Sequence, residues 1–159
     1  MSHVSPGIQK NLNDQGFDGL DVEAKARCAT PLRFTPAVGT VLVLAGLISQ
    51  SPALLATMAV AALSGALLPS GMLIDLVYNL GVRHLTHARK LPPTPTPRRF
   101  SYLLSTALLT ASAIALSAGL TTIGLISGGI VALGGAILAA THWCLGSWFY
   151  RSIFGLATP

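Results

Sequence analysis

Four long apolar stretches dominate this sequence and decide what kind of protein it can form. They cover about residues 34–49, 52–68, 100–118 and 120–150. A membrane-spanning helix needs about 20 apolar residues, so we expect the two short stretches to extend into their flanks. Only 9% of the residues are charged, whereas a soluble domain carries about a quarter. The sequence therefore predicts an all-α integral membrane protein whose main partner is the lipid bilayer.

Two tight breaks join these stretches in pairs. The run Gln50–Pro52 separates the first two, and Gly119 separates the last two. We therefore predict a polytopic bundle of four transmembrane helices arranged as two hairpins. Residues 1–32 form an N-terminal arm, and the transmembrane domain covers residues 33–159, including a middle loop at 71–99.

The basic residues predict the orientation of the bundle. All ten lie in the arm or directly after it at Arg33, in the middle loop or in the tail, and neither hairpin turn holds one. The positive-inside rule then places both termini and the middle loop in the cytoplasm, as in a multi-pass protein of the bacterial inner membrane. The net charge of +5 does not predict nucleic-acid binding, because no basic stripe is interleaved with aromatic residues.

The middle loop has two predicted parts. Residues 71–91 show a roughly helical spacing of apolar side chains and predict an amphipathic helix lying in the membrane interface. Asp75, within that segment, is expected at the interface, either paired with Arg83 or in water. Pro92–Pro97 follows as an extended spacer, because proline lacks the N–H that a helix needs.

A weak internal repeat marks the start of each hairpin. Arg33 and Phe34 open the first, Arg99 and Phe100 open the second, and each pair is followed by two apolar segments. This pattern indicates two parallel hairpins related by duplication.

Small residues recur every four positions in two of the apolar stretches. Such spacing lets helix backbones approach closely, so we predict helix packing contacts there. In the fourth stretch these residues are Gly124, Gly128, Ala132, Ala136, Ala140 and Cys144. In the second they are Ala53, Thr57, Ala61 and Gly65.

Two side chains near the end of the fourth stretch could carry chemistry. His142 is either an interfacial histidine or the axial ligand of a haem or chlorophyll-type tetrapyrrole; no other cofactor is predicted, and no metal cluster. Cys144 is expected within the last turns of one continuous helix. The negative end of that helix disfavours a thiolate there, which predicts an ordinary packing thiol.

The chain resembles a bacterial family of small four-helix membrane proteins, domain of unknown function 4395, over about residues 21–150. The resemblance rests on the run Thr141–Tyr150 (THWCLGSWFY), the Arg-Phe pairs and the proline-rich break. The family's final helix usually ends in Cys-Leu-Gly-Cys, and some members appear beside sulfurtransferase-like or thioredoxin-like proteins. This implies thiol or sulfur handling at the cytoplasmic face. Here Ser147 replaces the second cysteine, so Cys144 has no neighbouring thiol with which to form a disulfide.

Three functions remain open from the sequence. The first is a non-enzymatic accessory or scaffolding subunit that binds other membrane proteins, since no nucleophile–base pair, phosphate loop or intramembrane charge is visible. The second is a thiol or sulfur-handling protein that uses Cys144. The third is a pigment-binding subunit that uses His142.

Overall fold

The computed structural model describes residues 4–70, 72–85 and 90–154, and these ranges contain helices, turns and extended segments but no strand. The all-α prediction is therefore confirmed. The helices are α1 (Pro6–Leu12, continued by a π-helical turn at Asn13–Phe17), α2 (Val22–Leu32), α3 (Phe34–Ile48), α4 (Pro52–Leu67), α5 (Leu73–Val77, continued by a π-helical turn at Tyr78–Val82), α6 (Arg83–Leu85), α7 (Thr96–Ser117), α8 (Thr121–Thr141) and α9 (Leu145–Phe154).

Three helical stretches are long and apolar enough to cross a membrane. They are Val22–Ile48, which joins α2 to α3, together with α7 and α8. The apolar helix α4 is shorter, at 16 residues. Within the bundle, α4 packs along α7, α3 packs along α8, and α7 contacts α8.

The third apolar helix begins earlier than the sequence predicted. Residues 90–95 are not helical, and α7 starts at Thr96 rather than near Phe100. Pro97 is tolerated because it lies in the first helical turn, where its missing N–H would have no helical partner. The earlier start brings Arg98 into the helix.

The fourth apolar stretch is two helices rather than one continuous helix. α8 ends at Thr141, His142 adopts a left-handed conformation with φ of 57°, and α9 starts at Leu145. The freed carbonyl groups are bound by side chains from the N-terminal arm. Asn11 donates to the Thr141 carbonyl at 2.8 Å, and Gln15 donates to the His142 carbonyl at 2.6 Å. The break therefore depends on contacts with residues far away in the sequence, not on a local glycine or proline.

The helices outside the bundle gather at one of its ends, and we call α1, α2, α5, α6 and α9 the end layer. Arg151 of α9 donates to the Asp14 carbonyl at 2.9 Å, which ties the N-terminal arm to the C-terminal helix. The end layer also has its own apolar cluster. Its buried members are Leu12, Phe17, Cys28, Leu32, Tyr78 and Leu91.

Small residues on α8 pack closely at one end of the predicted stripe. A Cβ on Gly128 would lie 2.6 Å from Leu47 and 2.8 Å from the Ser112 hydroxyl. Ala132 is buried, but Ala136 and Ala140 are exposed. With 3.6 residues per turn, each step of four rotates about 40° around the helix, so the stripe leaves the interface.

The other predicted packing residues are also only partly buried as a set. Gly124 is buried against Leu116 of α7. On α4 the residues Ala61 and Gly65 are buried, whereas Ala53 and Thr57 are exposed. Of the predicted packing residues on these two helices, the buried ones therefore lie at residues 124–132 of α8 and in the C-terminal half of α4.

The α3–α4 and α7–α8 segments share several features. Gln50 and Gly119, the residues at their turns, both have positive φ, 47° and 76°. In each half, a phenylalanine at the start of the hairpin contacts a tyrosine after it: Phe34 with Tyr78 at 5.1 Å, and Phe100 with Tyr150 at 5.5 Å between ring centroids.

The arginines that open the hairpins reach across to the opposite half. Arg33 donates to Nε2 of His142, which follows α8, at 2.9 Å. Arg99 donates to the carbonyl groups of Ala66 and Leu67 at the end of α4, at 2.9 and 3.1 Å. Arg33 thus binds the residue after α8 and Arg99 binds the last turn of α4, so each contact joins the two halves of the chain.

Candidate functional site

A cavity of about 140 Å³ lies between the two hairpins, next to the end layer. One end of the cavity is polar and the rest is apolar. The polar end is lined by Thr35, Arg98, Ser101, Tyr102 and Cys144. The apolar part includes Val43, Met58, Leu108, Leu109, Ile130 and Val131.

Cys144 occupies the residue before α9 and is only 8% exposed. Its carbonyl accepts the first helical hydrogen bond, from the Trp148 amide at 3.0 Å. The expectation that Cys144 lies at the negative end of a helix is therefore wrong, because the break after His142 places it at the start of a new one. The N-terminus of a helix carries positive partial charge, so the local backbone favours an anion.

A hydroxyl group contacts the Cys144 sulfur. Ser101 Oγ lies 3.1 Å from Cys144 Sγ and 3.4 Å from Ser147 Oγ. Gly146 makes this contact possible, because a Cβ at that position would lie 2.8 Å from Ser101 Cα. The small residue between Cys144 and Ser147 thus lets α9 rest directly on α7.

Arg98 brings a positive charge to the polar end of the cavity. It is 4% exposed, and its Nε has no hydrogen-bond partner among the described residues. The guanidinium lies 5.8 Å from the Phe17 ring centroid and 5.9 Å from that of Tyr102. Cys144 and Asp75 are close enough to act on it electrostatically.

Asp75 is buried, at 5% exposure, and not solvated as the sequence analysis expected. It accepts hydrogen bonds from the Thr35 hydroxyl and, at 2.9 Å, from the Met72 amide. These bonds cap α5, and Arg83 plays no part in them. The expected pairing with Arg83 or contact with water was wrong because Asp75 closes the first turn of a helix that packs on α3 and α4.

His142 lies outside the cavity lining and is 2% exposed. Burial, together with the positive charges of Arg33 and Arg98, lowers the pKa of His142 from 6.5 to about 4. The imidazole is therefore neutral, and its Nε2 accepts the Arg33 hydrogen bond. A metal bound at Nε2 would have to displace Arg33, so this arrangement gives no support to tetrapyrrole ligation, which stays a prediction.

No group of three or more histidine, cysteine, aspartate or glutamate side chains in the described ranges is placed to hold a metal ion. Polar groups at the site are instead a thiol, a guanidinium, a phenol and hydroxyls.

Residues 29–154 match the protein family described as Domain of unknown function (DUF4395). The chain belongs to the DUF4395 family. No curated protein and no solved structure matches the chain. The DUF4395 match covers both hairpins, the whole cavity lining and α9, so the site lies within the part of the chain that defines the family.

The structure also identifies site residues that the sequence analysis missed. Arg98, Tyr102 and Thr40 were counted as loop charge or as ordinary span residues. Their only signal in the sequence was proximity to the Arg-Phe pairs, since Arg98 and Tyr102 flank Arg99 and Phe100. In this DUF4395 chain, Arg98 and Tyr102 share the polar end of the cavity with Cys144.

Proposed function

We propose that this chain crosses the bacterial inner membrane four times, through α3, α4, α7 and α8, with both termini in the cytoplasm. The distribution of charge supports this, because the described lysines and arginines lie in the end layer, in the segments next to it or in the first turn of α7. The hairpin turns at Ser51 and Gly119 lie at the opposite end. Single cysteines placed there should react with an impermeant reagent only from the periplasm; reaction only from the cytoplasm would contradict this topology.

In this orientation α5 and its continuation lie in the cytoplasmic interface of the membrane. The exposed apolar side chains Leu73, Val77 and Leu80 support this, since each is at least 45% exposed. The segment would contribute a surface anchor rather than a fifth span.

We propose that the protein handles thiols or sulfur through Cys144. The observation that carries this proposal is that Cys144, at the N-terminus of α9, shares the polar end of the cavity with the buried Arg98. Both the helix N-terminus and the guanidinium favour an anion there. A purely structural cysteine needs neither.

A lone cysteine suits transfer of sulfane sulfur rather than dithiol redox chemistry. The Cys144 sulfur attacks the outer sulfur of a persulfide donor, R–S–SH, and the donor S–S bond breaks. The donor leaves as the thiol R–SH, taking the proton that Cys144 gives up, and Cys144 becomes a persulfide. No electrons are gained or lost overall, so no second cysteine is needed.

Incubating the purified chain with a low-molecular-weight persulfide tests this function. We expect the intact mass to increase by one sulfur atom, on the peptide that contains Cys144, and a second thiol to recover that sulfur. Cys144→Ala should abolish the gain, while Cys28→Ser, in the end-layer cluster, should retain it. Equal labelling of the Cys144→Ala variant, or none on the folded wild type, would contradict the proposal.

An accessory or scaffolding subunit is the second candidate. The face of α9 that carries Trp148, Phe149, Ile153 and Phe154 is apolar and exposed, and it offers a surface for another membrane protein. Mild-detergent extraction followed by identification of co-purifying proteins tests this. Binding that depends on Trp148 and Ile153 would support it, and a chain that purifies alone would oppose it.

A further inference from the structure

We infer that the cavity between the hairpins binds a small apolar weak acid whose anionic group pairs with Arg98. This inference concerns binding and does not depend on sulfur transfer at Cys144. It follows from three features of the cavity: an unpaired buried charge, two orphaned hydroxyl groups and a small apolar body.

Among the described residues, no carboxylate lies within ion-pair distance of the buried Arg98, and Asp75 acts on it only at longer range. Among the described residues, the ion pairs are Arg27 with Glu23 and Arg151 with Asp14. Asp75, the nearest buried acid, is already bound by Thr35 and Met72. A buried cation without a partner is costly, and an anionic ligand in the cavity would supply one.

Two hydroxyl groups that line the cavity are also unpaired. Tyr102 Oη and Thr40 Oγ1 are buried and have no hydrogen-bond partner of good geometry among the described residues, although Tyr102 is near enough to Arg98 to interact with it. Both can donate, as can Arg98 Nε. Three donors from α3 and α7 around one cavity match the acceptor-only oxygen atoms of a carboxylate.

The remainder of the cavity sets the size and polarity of the ligand. At about 140 Å³ it is close to the roughly 150 Å³ of an engineered apolar cavity that admits benzene. Its deeper walls are aliphatic, including Val43, Leu109 and Val131. The body of the ligand should therefore be a single ring or a short branched chain.

The cavity extends towards the outer surface of the bundle between α7 and α8. Leu104 and Ile130 line it and are 40% and 48% exposed. In a membrane this surface faces lipid. A weak acid can partition there in its neutral form and release its proton on pairing with Arg98.

Benzoate is a suitable probe, and benzyl alcohol is its neutral counterpart of similar size. Binding of radiolabelled benzoate is measured by equilibrium dialysis with the full chain in lipid nanodiscs. We expect saturable binding that benzyl alcohol displaces only weakly. Tyr102→Phe should weaken benzoate binding about fivefold, as loss of one hydrogen bond predicts, and Arg98→Met should weaken it by more than about tenfold.

Two glycines of α8 provide a matched control that does not alter Arg98. A Cβ at either Gly134 or Gly129 would meet no atom within 4 Å, but only Gly134 lines the cavity. Gly134→Leu should abolish saturable binding, and Gly129→Leu should not. Benzoate binding that persists in Gly134→Leu, or that benzyl alcohol matches in affinity, would overturn the inference even if Arg98→Met fails to fold.

Discussion

The two halves of the molecule share one framework but hold different chemistry at equivalent positions. The residue before the helix that follows each hairpin is Met72 in the first half and Cys144 in the second, and both line the cavity. Three residues later come Asp75 and Ser147, which contact the hydroxyl groups of Thr35 and Ser101 respectively. The framework therefore does not require a thiol at this position, which is Met72 in the first half and Cys144 in the second.

The contrast shows how each half is stabilised. In the first half the Asp75 carboxylate accepts hydrogen bonds from Thr35 and from the Met72 amide. These charge-assisted bonds hold the start of α5 in place. In the second half Gly146 replaces Ile74 of the first half and allows α9 to approach Ser101 closely. Steric fit thus takes the place of charge in holding α9 against α7.

The largest expected effect comes from making the second half resemble the first at Gly146. In Gly146→Ile, the new side chain would overlap Ser101, including its backbone, and overpacking of this kind costs about 1–3 kcal/mol or more. We expect a marked loss of thermal stability in detergent and detachment of α9. Gly129→Ile, which meets open space, is the control; equal stability of the two variants would mean that α9 does not rest on α7.

Removing the charged cap of the first half should have the next largest effect. Asp75→Asn keeps the shape but weakens hydrogen bonds to a charged acceptor, which are worth about 1.5–3 kcal/mol. The equivalent change in the second half, Ser147→Ala, removes a neutral hydrogen bond and should cost about 1 kcal/mol. Denaturation midpoints for the two variants test the comparison, and a larger effect of Ser147→Ala would reverse it.

Acidification should weaken the contact between Arg33 and His142, because His142 titrates, but not the equivalent contacts of Arg99. Because the pKa of His142 falls from 6.5 to about 4 on folding, the unfolded chain binds more protons between these values. The stability contributed by neutral His142 is complete above pH 6.5 and is lost as the pH falls towards 4.

Melting temperatures measured across this pH range should therefore decrease on the acid side. His142→Gln, which keeps a neutral acceptor for Arg33, should flatten that part of the profile. Arg99→Ala should lower stability without changing the shape, because the Ala66 and Leu67 carbonyl groups do not titrate. An unchanged profile in His142→Gln would show that the acid sensitivity arises elsewhere.

Ser147→Cys should have the smallest effect on stability, but it should change the chemistry of the site. Cys144 and Ser147 both lie within reach of Ser101 Oγ, so the variant should form a disulfide under mild oxidation. Mass spectrometry would detect the loss of two hydrogen atoms, reversible by a reductant. Two thiols that stay reduced under the same oxidant would show that the first turn of α9 does not bring them together.

Much of the bundle could be predicted because hydropathy and turn residues are local signals. The hairpin turns at Gln50–Pro52 and Gly119 and the bounds of α3 and α4 agree closely with the structure. The break at His142 could not be predicted, since it depends on Asn11, Gln15 and Arg33.

The candidate site was only partly visible in the sequence. The sequence singles out Cys144 and Ser147. It predicts them at the C-terminal end of a helix, whereas they lie at the N-terminal end of α9. Arg98 appeared to be one more basic residue in a loop, and only three-dimensional packing reveals its burial. In the sequence, only the Arg-Phe pairs indicate the internal repeat. The segments that follow each pair of apolar stretches, Met72–Tyr78 and Cys144–Tyr150, share few identical residues.

Cys144 lines the cavity, and the reactivity of its sulfur is the most direct test of this position. The rate of Cys144 alkylation by a small uncharged reagent can be followed by peptide mass spectrometry in wild type, Gly134→Leu and Gly129→Leu. We expect filling the cavity in Gly134→Leu to slow the reaction about tenfold or more through steric exclusion, while Gly129→Leu reacts like wild type. Equal rates in all three proteins would contradict this position of Cys144, because the sulfur would then be reached by a path that does not pass through the cavity.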